Sequence, residues 1–230
     1  MTLFAKEPDG VLLIGAGGLG CAAAQALAMI PITRLGMVDD DQVALSNLQR
    51  QVLYRMDDIG ANKVERAKQR LQELAPGLEV DILVQRLDSP DAIADAARGY
   101  AVVLDGSDNF TTRFAANDAA IQGGFPLVHG AATGFAGQLM TIQPGHSACL
   151  RCLFTAPPQT TGPTCQTQGV LGPLVGEVGW LMAIEAVKLI YRQGNPLWNR
   201  LLTINALTGK RRTVPLRRNP HCPCNKVIHT

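Results

Sequence analysis

Apolar positions along this chain follow two periods. Short runs and alternations mark strands, and spacings of three and four mark helices between them. Val11, Leu12, Leu13 and Ile14 form the continuous apolar run that a parallel strand covered on both faces requires. Leu35, Met37 and Val38 suggest a second strand, Val80, Ile82 and Val84 alternate as a third, and Tyr100 to Leu104 forms a fourth that ends at Asp105. Helical patterns fill the intervals at Leu19 to Met29, Ala61 to Leu74 and Pro90 to Arg98. In the second of these, Val64, Ala67, Leu71 and Leu74 share one face beside Lys63 and Arg66, and Pro76 and Gly77 end it. A helix over Thr111 to Ile121 follows, then strands at Leu127 to His129 and Gln138 to Ile142, an apolar helix at Gly176 to Tyr191, and a hairpin of Leu201 to Asn205 with Lys210 to Leu216 about Thr208 and Gly209. Strand and helix alternate first and strands cluster last, which predicts an α/β fold whose mostly parallel sheet is extended by C-terminal antiparallel strands.

The first strand runs straight into glycines. Gly15, Gly17 and Gly20 fit G-x-G-x-x-G, with Gly18 inside the motif. Missing side chains let the backbone turn tightly and approach phosphate oxygens, while the free N–H groups at the next helix's start favour an anion. Asp39, Asp40 and Asp41 stand at the end of the second strand, where a carboxylate can hold ribose hydroxyls. The sheet is therefore expected to be doubly wound and Rossmann-like, with a nucleotide above its carboxyl edge. Taken alone, the fingerprint fits dinucleotides, adenosylmethionine and ATP.

Composition narrows the classes. The chain has 230 residues, 47% of them apolar, enough for one large core, and no linker or internal repeat divides it. It reads as a single domain in which 11–143 form the nucleotide-binding core and 144–230 supply a long crossover loop, the apolar helix, the hairpin and a cysteine-bearing tail. A net charge of +2 gives no basic excess for nucleic acid. Lys6, Glu7 and Asp9 interrupt any leader, and the apolar helix carries Glu177, Glu185 and Lys188, so a cytoplasmic protein without membrane spans is expected. Of six cysteines, Cys149-x-x-Cys152 and Cys222-x-Cys224 are closely paired. In a reducing compartment such pairs favour a metal over disulfides. Cys21, on the first helix, is read as a packing residue.

Three polar groups point to chemistry. Ser46 to Gln51 lies above the strand ends and includes Asn47 and Arg50. Arg50 and Lys63 are the cations within reach of a phosphate, Arg as a bidentate fork and Lys as a point charge, although either can be a plain surface charge. Asp105 to Arg113, DGSDNFTTR, places carboxylates where magnesium would neutralise a triphosphate, with Asp108 or Asn109 also able to cap the following helix.

Together the segments GAGGLG, DDDQVALSNLQRQ, GANKVE, DGSDNFTTR, CLRCLF and TCQTQGVLGPLVG resemble the ThiF/MoeB family of ubiquitin-activating-enzyme-like adenylyltransferases over about residues 11 to 224. The resemblance implies adenylylation, by MgATP, of the C-terminal glycine carboxylate of a small ubiquitin-like sulfur-carrier protein ending in Gly-Gly. The acyl-adenylate then receives sulfur for thiamine or molybdopterin synthesis. It assigns the glycine loop, Asp39 and Asp41 to the nucleotide, with Asp39 at the ribose. Asn47, Arg50 and Lys63 fall at the phosphates, Asp105 at magnesium and Asn109 beside it. It implies a structural Zn2+ on Cys149, Cys152, Cys222 and Cys224, although the second pair is one residue shorter than the family's usual C-x-x-C and His221 is a substitute ligand. Cys165 would accept the activated carrier or take part in sulfur transfer, or would be a free thiol without a role. A homodimer is implied, with a cysteine desulfurase or sulfurtransferase as a further partner. The family's N-terminal arm carries an arginine that enters the other subunit's ATP site, whereas MTLFAKEPDG offers only Lys6. The basic hairpin, with Lys210, Arg211, Arg212, Arg217 and Arg218, would dock an acidic carrier or form a solvated face. Two alternatives stand beside this reading: an NAD-dependent oxidoreductase, which leaves SNLQRQ, DGSDN and the cysteine pairs without a role, and a degenerate member that binds nucleotide or carrier without adenylating it.

Overall fold

The computed structural model describes residues 10–154, 156–157 and 169–225. Lys6 and Cys165 lie outside the described residues. Eight strands form one sheet in the order β3-β2-β1-β4-β5-β6-β7-β8. They are β1 (Gly10–Ile14), β2 (Arg34–Val38), β3 (Glu79–Leu83), β4 (Tyr100–Asp105), β5 (Leu127–Thr133), β6 (Ala136–Ile142), β7 (Arg200–Asn205) and β8 (Lys210–Pro215). Strands β1 to β5 pair in parallel, and β5 to β8 pair antiparallel. The helices are α1 (Gly18–Ala28), α2 (Lys63–Leu74), α3 (Pro90–Ala96), α4 (Phe110–Gly123), α5 (Leu150–Leu153) and α6 (Gly172–Ile190). The predicted fold class and every predicted strand are present.

The unbroken run in β1 has a simple cause. Val11 and Leu13 enter a core shared with α1, α2 and α6, while Leu12 and Ile14 enter a second core on the other face, shared with α3 and α4. Burial on both faces leaves no position for a polar residue. Helices α1 and α6 touch closely, because Ala22 and Ala23 meet Gly179, where an added Cβ would stand 2.5 Å from the Leu19 carbonyl oxygen.

Helix α6 starts four residues earlier than the pattern predicts, with Pro173 in its first turn. Proline lacks only an N–H that has no helical partner there, so a residue that reads as a breaker is a starter. Within α6, Glu185 is buried and accepts from Thr141 Oγ1 at 2.5 Å, from the Leu197 backbone N–H at 2.8 Å, and from Lys188. It ties the helix to β6 and to the chain entering β7. The crossover region, expected as an unbroken loop, contains the short helix α5.

Strand order reverses at β1, which has β2 on one side and β4 on the other. The connections from β1 and β4 leave to opposite faces and open a crevice at the strands' carboxyl ends. Backbone bonds lace that edge: the Gly15 N–H donates to the Val38 carbonyl at 2.8 Å, and the Gly106 N–H to the Ile14 carbonyl at 2.9 Å.

Candidate functional site

The crevice is lined by Gly15, Gly17 and Gly18 from the loop after β1, Asp39 to Asp41 after β2, Asn47, Arg50, Gln51 and Lys63, and the Gly106 to Asn109 turn after β4. Two glycines explain its floor. Gly15 has φ +92°, a conformation L side chains rarely adopt, and a Cβ at Gly20 would lie 1.9 Å from the Gly15 carbonyl oxygen. Behind the loop, Tyr54 donates its hydroxyl to the Ala16 carbonyl at 2.7 Å, and the Cys21 thiol points at the same oxygen from 3.4 Å. Burial pushes the Cys21 thiol up to about 12, which suits the packing role read from its sequence.

Asp39 joins the glycine loop to the acidic strand end. Its Oδ2 accepts from the Ala16 N–H at 2.7 Å and its Oδ1 from the Asp41 N–H at 2.8 Å. Burial outweighs the attraction of Lys63 and raises this carboxyl above its ordinary value. Each oxygen has a second lone pair, so a hydroxyl donor can still be received. Lys63, expected on a helix surface, is instead 4% exposed as the first residue of α2, with Nζ 2.6 Å from Asp41 and 3.9 Å from Asp39. Its own N–H donates to the Asp41 carbonyl at 3.0 Å, which turns the helix start under the pocket. Opposite, Asn47 Oδ1 accepts from Gln51 Nε2 at 3.2 Å, and Arg50 Nη1 donates to the Ser46 carbonyl at 3.2 Å.

The β4 end departs from expectation. Asp105 has no exposed surface and does not line the crevice. Its Oδ1 accepts from the Ser107 N–H at 3.1 Å and hydroxyl at 2.6 Å, while its Oδ2 faces His129 Nδ1 at 2.7 Å. Burial acts to raise this carboxyl, but the His129 hydrogen bond leads the interactions that hold it below the ordinary carboxylate range. A carboxylate so enclosed cannot reach a pocket ion, so the expected magnesium role does not fit Asp105. Asp108 lines the crevice and is exposed, and no hydrogen bond or ion pair engages its carboxylate among the described residues. Asn109 caps α4, accepting from the Thr112 N–H at 2.9 Å, the capping role expected of one of this pair. Arg113, unassigned from sequence, is buried and donates Nε and Nη2 to the Ser107 carbonyl at 3.2 and 3.0 Å. Gln51 and Arg86, which line the crevice, and His129, which faces Asp105, also went unassigned. Gln51 stands beside Arg50 in the polar run, which was the available signal, whereas nothing local marked Arg86 or His129.

A second feature lies beside α4, where Leu150 and Arg151 of α5 bond to Asn117 and Asp118. The thiols of Cys149, Cys152, Cys222 and Cys224 converge, with Sγ separations of 3.9 Å between Cys149 and Cys152, 3.6 Å between Cys149 and Cys222, and 3.6 Å between Cys152 and Cys224. Sulfurs about 2.3 Å from a tetrahedral ion stand about 3.8 Å apart, so the four fit one metal. Burial and the neighbouring thiols raise Cys149, and burial pushes Cys224 up to about 12. Cys152 is held below its ordinary value: burial opposes ionisation, but backbone and thiol hydrogen bonds prevail. A divalent cation would relieve the repulsion that opposes further ionisation. The shortened pair still converges because the Asn225 N–H donates to the Cys222 carbonyl at 3.0 Å in a tight turn that buries both its thiols. His221 is exposed and stands outside the cluster. All five described cysteines are free.

A family model described as the ThiF family matches residues 8–224. The chain belongs to the ThiF family. Among its relatives, the SAMP-activating enzyme E1 of Haloferax volcanii is 45% identical over 214 residues, covering 93% of this chain and 78% of that protein. The sulfur carrier protein adenylyltransferase of Thermus thermophilus is 43% identical over 219 residues, covering 93% and 80%. The sulfur carrier protein ThiS adenylyltransferase of Escherichia coli is 41% identical over 216 residues, covering 93% and 84%. The crystal structure of E. coli MccB with ATP superposes with a TM-score of 0.84 at 21% identity, covering 95% of this chain and 67% of that one, which shows the shared fold. ThiF membership removes the dehydrogenase alternative. No helix among the described residues is long and apolar enough to cross a membrane.

Proposed function

We propose that this ThiF-family chain adenylylates the C-terminal glycine carboxylate of a small ubiquitin-like sulfur-carrier protein ending in Gly-Gly. One observation carries the reading: the glycine loop, Asp39, Arg50, Lys63 and Asp108 line a single crevice at the strands' carboxyl ends. Two anions, a carboxylate and a triphosphate, must approach in line, so positioning and charge neutralisation supply the catalysis. The carboxylate needs no general base, because it is ionised near pH 7. Its oxygen attacks the α-phosphorus, the new P–O bond forms, and the bond to pyrophosphate breaks with its electron pair leaving on pyrophosphate.

The glycine loop and the start of α1 would cradle phosphate, Asp39 would receive a ribose hydroxyl, and Asn47, Arg50 and Lys63 would bind the phosphates. Lys63 pairs with Asp41, whose side chain is 65% exposed, so this cation can exchange that partner for phosphate. Asp108, in place of Asp105, would hold Mg2+, which neutralises the triphosphate when bound. The four thiols would hold a structural Zn2+ that pins the tail to α5. The remaining expectations are homodimerisation, action in thiamine or molybdopterin synthesis in the cytoplasm, a sulfurtransferase or desulfurase partner, and a role for Cys165 in passing on the activated acyl group.

The test is mass spectrometry of a carrier ending in Gly-Gly after incubation with the protein and MgATP. A C-terminal acyl-adenylate, absent when the terminal glycine is deleted, is the expected result. Binding of both ATP and carrier without adenylate would establish the degenerate reading instead.

A further inference from the structure

Beside the nucleotide crevice lies a second, open cavity of about 330 Å3, lined by the start of α4, β5, β6 and α5. Phe110, Phe154, Gln138 and His129 are among its walls, and Arg113 and Ala132 line both spaces. His129 is 2% exposed, and one ring nitrogen is committed to Asp105. An ionised Asp105 can only accept, so Nδ1 carries the proton of that bond.

The bond continues as a chain of contacts. Asp105 Oδ2 holds His129, and its Oδ1 holds both donors of Ser107. The Ser107 carbonyl in turn receives two donors from Arg113, which reaches into both spaces. The turn that presents Asp108 is therefore fixed from its root by side chains, and His129 is the member of the set that comes from another strand.

We propose that His129 is a positioning residue for adenylylation: from the wall of the second cavity it orients Asp105, and through Asp105 it sets the turn that presents Asp108 to the nucleotide. This rests on the MgATP reading of the crevice. It gives the buried Asp105 a role in the reaction without contact with metal or phosphate. A small displacement of such a turn is costly, since misplacement of a reacting group by about 1 Å can reduce rate by about 10²-fold.

The experiment compares His129→Leu, similar in size but without a donor, with His129→Asn, whose amide can place an N–H where Nδ1 stands. Carrier-dependent ATP–pyrophosphate exchange is followed across Mg2+ concentrations, with melting temperature checked for each variant. Folded His129→Leu is expected to lose about tenfold or more in kcat and to need several-fold more Mg2+, with KM for the carrier little changed. His129→Asn is expected to recover most of both. A purely packing role would lower melting temperature and leave the Mg2+ requirement of the folded protein unmoved. A folded His129→Leu with wild-type kcat and Mg2+ requirement would overturn the proposal. If it fails to fold, His129→Gln, which keeps an amide but moves its N–H away from the Nδ1 position, decides: a Mg2+ requirement raised above that of His129→Asn supports the proposal and an unchanged wild-type requirement overturns it. Wild-type protein without carrier-dependent exchange would remove the MgATP reading and this proposal together, whereas wild-type exchange with unaltered variants removes the proposal alone.

Discussion

The middle of the sheet and its β8 edge are built on opposite terms. Strand β1 is buried along its whole length, covered by helices on both faces, and ends in a loop held by backbone bonds. Strand β8, at one edge, is exposed along its whole length. Its Arg211, 64% exposed, pairs with Glu177 at 2.6 Å, and the chain beyond it is anchored by Cys222 and Cys224. The first half derives its rigidity from apolar burial and can afford a charged crevice at its rim. The β8 edge has little apolar surface to bury, and the tail beyond it is gathered instead by four converging thiols that fit one metal ion. Function should therefore fail by different routes in the two halves.

The largest expected effect lies at the buried root of the crevice. Asp105→Ala leaves the His129 ring and both Ser107 donors without their acceptor, and should cost about 1–3 kcal/mol for each donor left buried and unpaired, read in denaturant unfolding. The pH dependence follows with a definite sign. The folded Asp105 carboxyl lies below the unfolded value of about 3.9, so its contribution is fully present above that value and is lost as pH falls through the lower folded one. Acid unfolding below about pH 4 should show a loss in wild type that Asp105→Asn lacks. Asp108→Asn should behave in the reverse way, with little change in stability and a loss of about 10²–10³ in exchange rate, the range for one electrostatic group aimed at developing charge.

Lys63→Ala comes next. It should cost a similar factor in rate and also leave Asp41 without its cation, so melting temperature should fall slightly, a combination that separates it from Asp108→Asn. In the C-terminal half, Cys152→Ser should abolish bound zinc in elemental analysis and lower melting temperature at about 2–4 °C per kcal/mol, while nucleotide affinity of the folded protein persists. A metal-free, equally stable preparation would sink the four-thiolate site. Smallest is Arg211→Ala, an exposed pair worth about 0–1 kcal/mol; a large effect there would mean that the hairpin is not the solvated face it appears in this contrast.

Much of the crevice was legible because its signals are local. Gly15 to Gly20 and Asp39 follow their strands directly, and the backbone geometry they need is a property of those residues. The roles of Asp105 and Asp108 were not separable on that basis. Both are carboxylates at a strand end, and which one turns inward is set by His129, 24 positions away on the neighbouring strand. The burial of Lys63 was hidden for a related reason: helical periodicity gives the face of α2, but the contact with Asp41 comes from the chain doubling back, with Gln42 bridging Asn62. The shortened cysteine pair looked defective because spacing alone cannot show that a tight turn restores convergence.

The decisive measurement is carrier-dependent ATP–pyrophosphate exchange, run in parallel on wild type and Asp108→Asn. Exchange is expected in wild type only when a carrier ending in Gly-Gly is present, and is expected to fall by about 10²-fold or more in folded Asp108→Asn. Exchange that proceeds without carrier, or that survives Asp108→Asn undiminished, would contradict it.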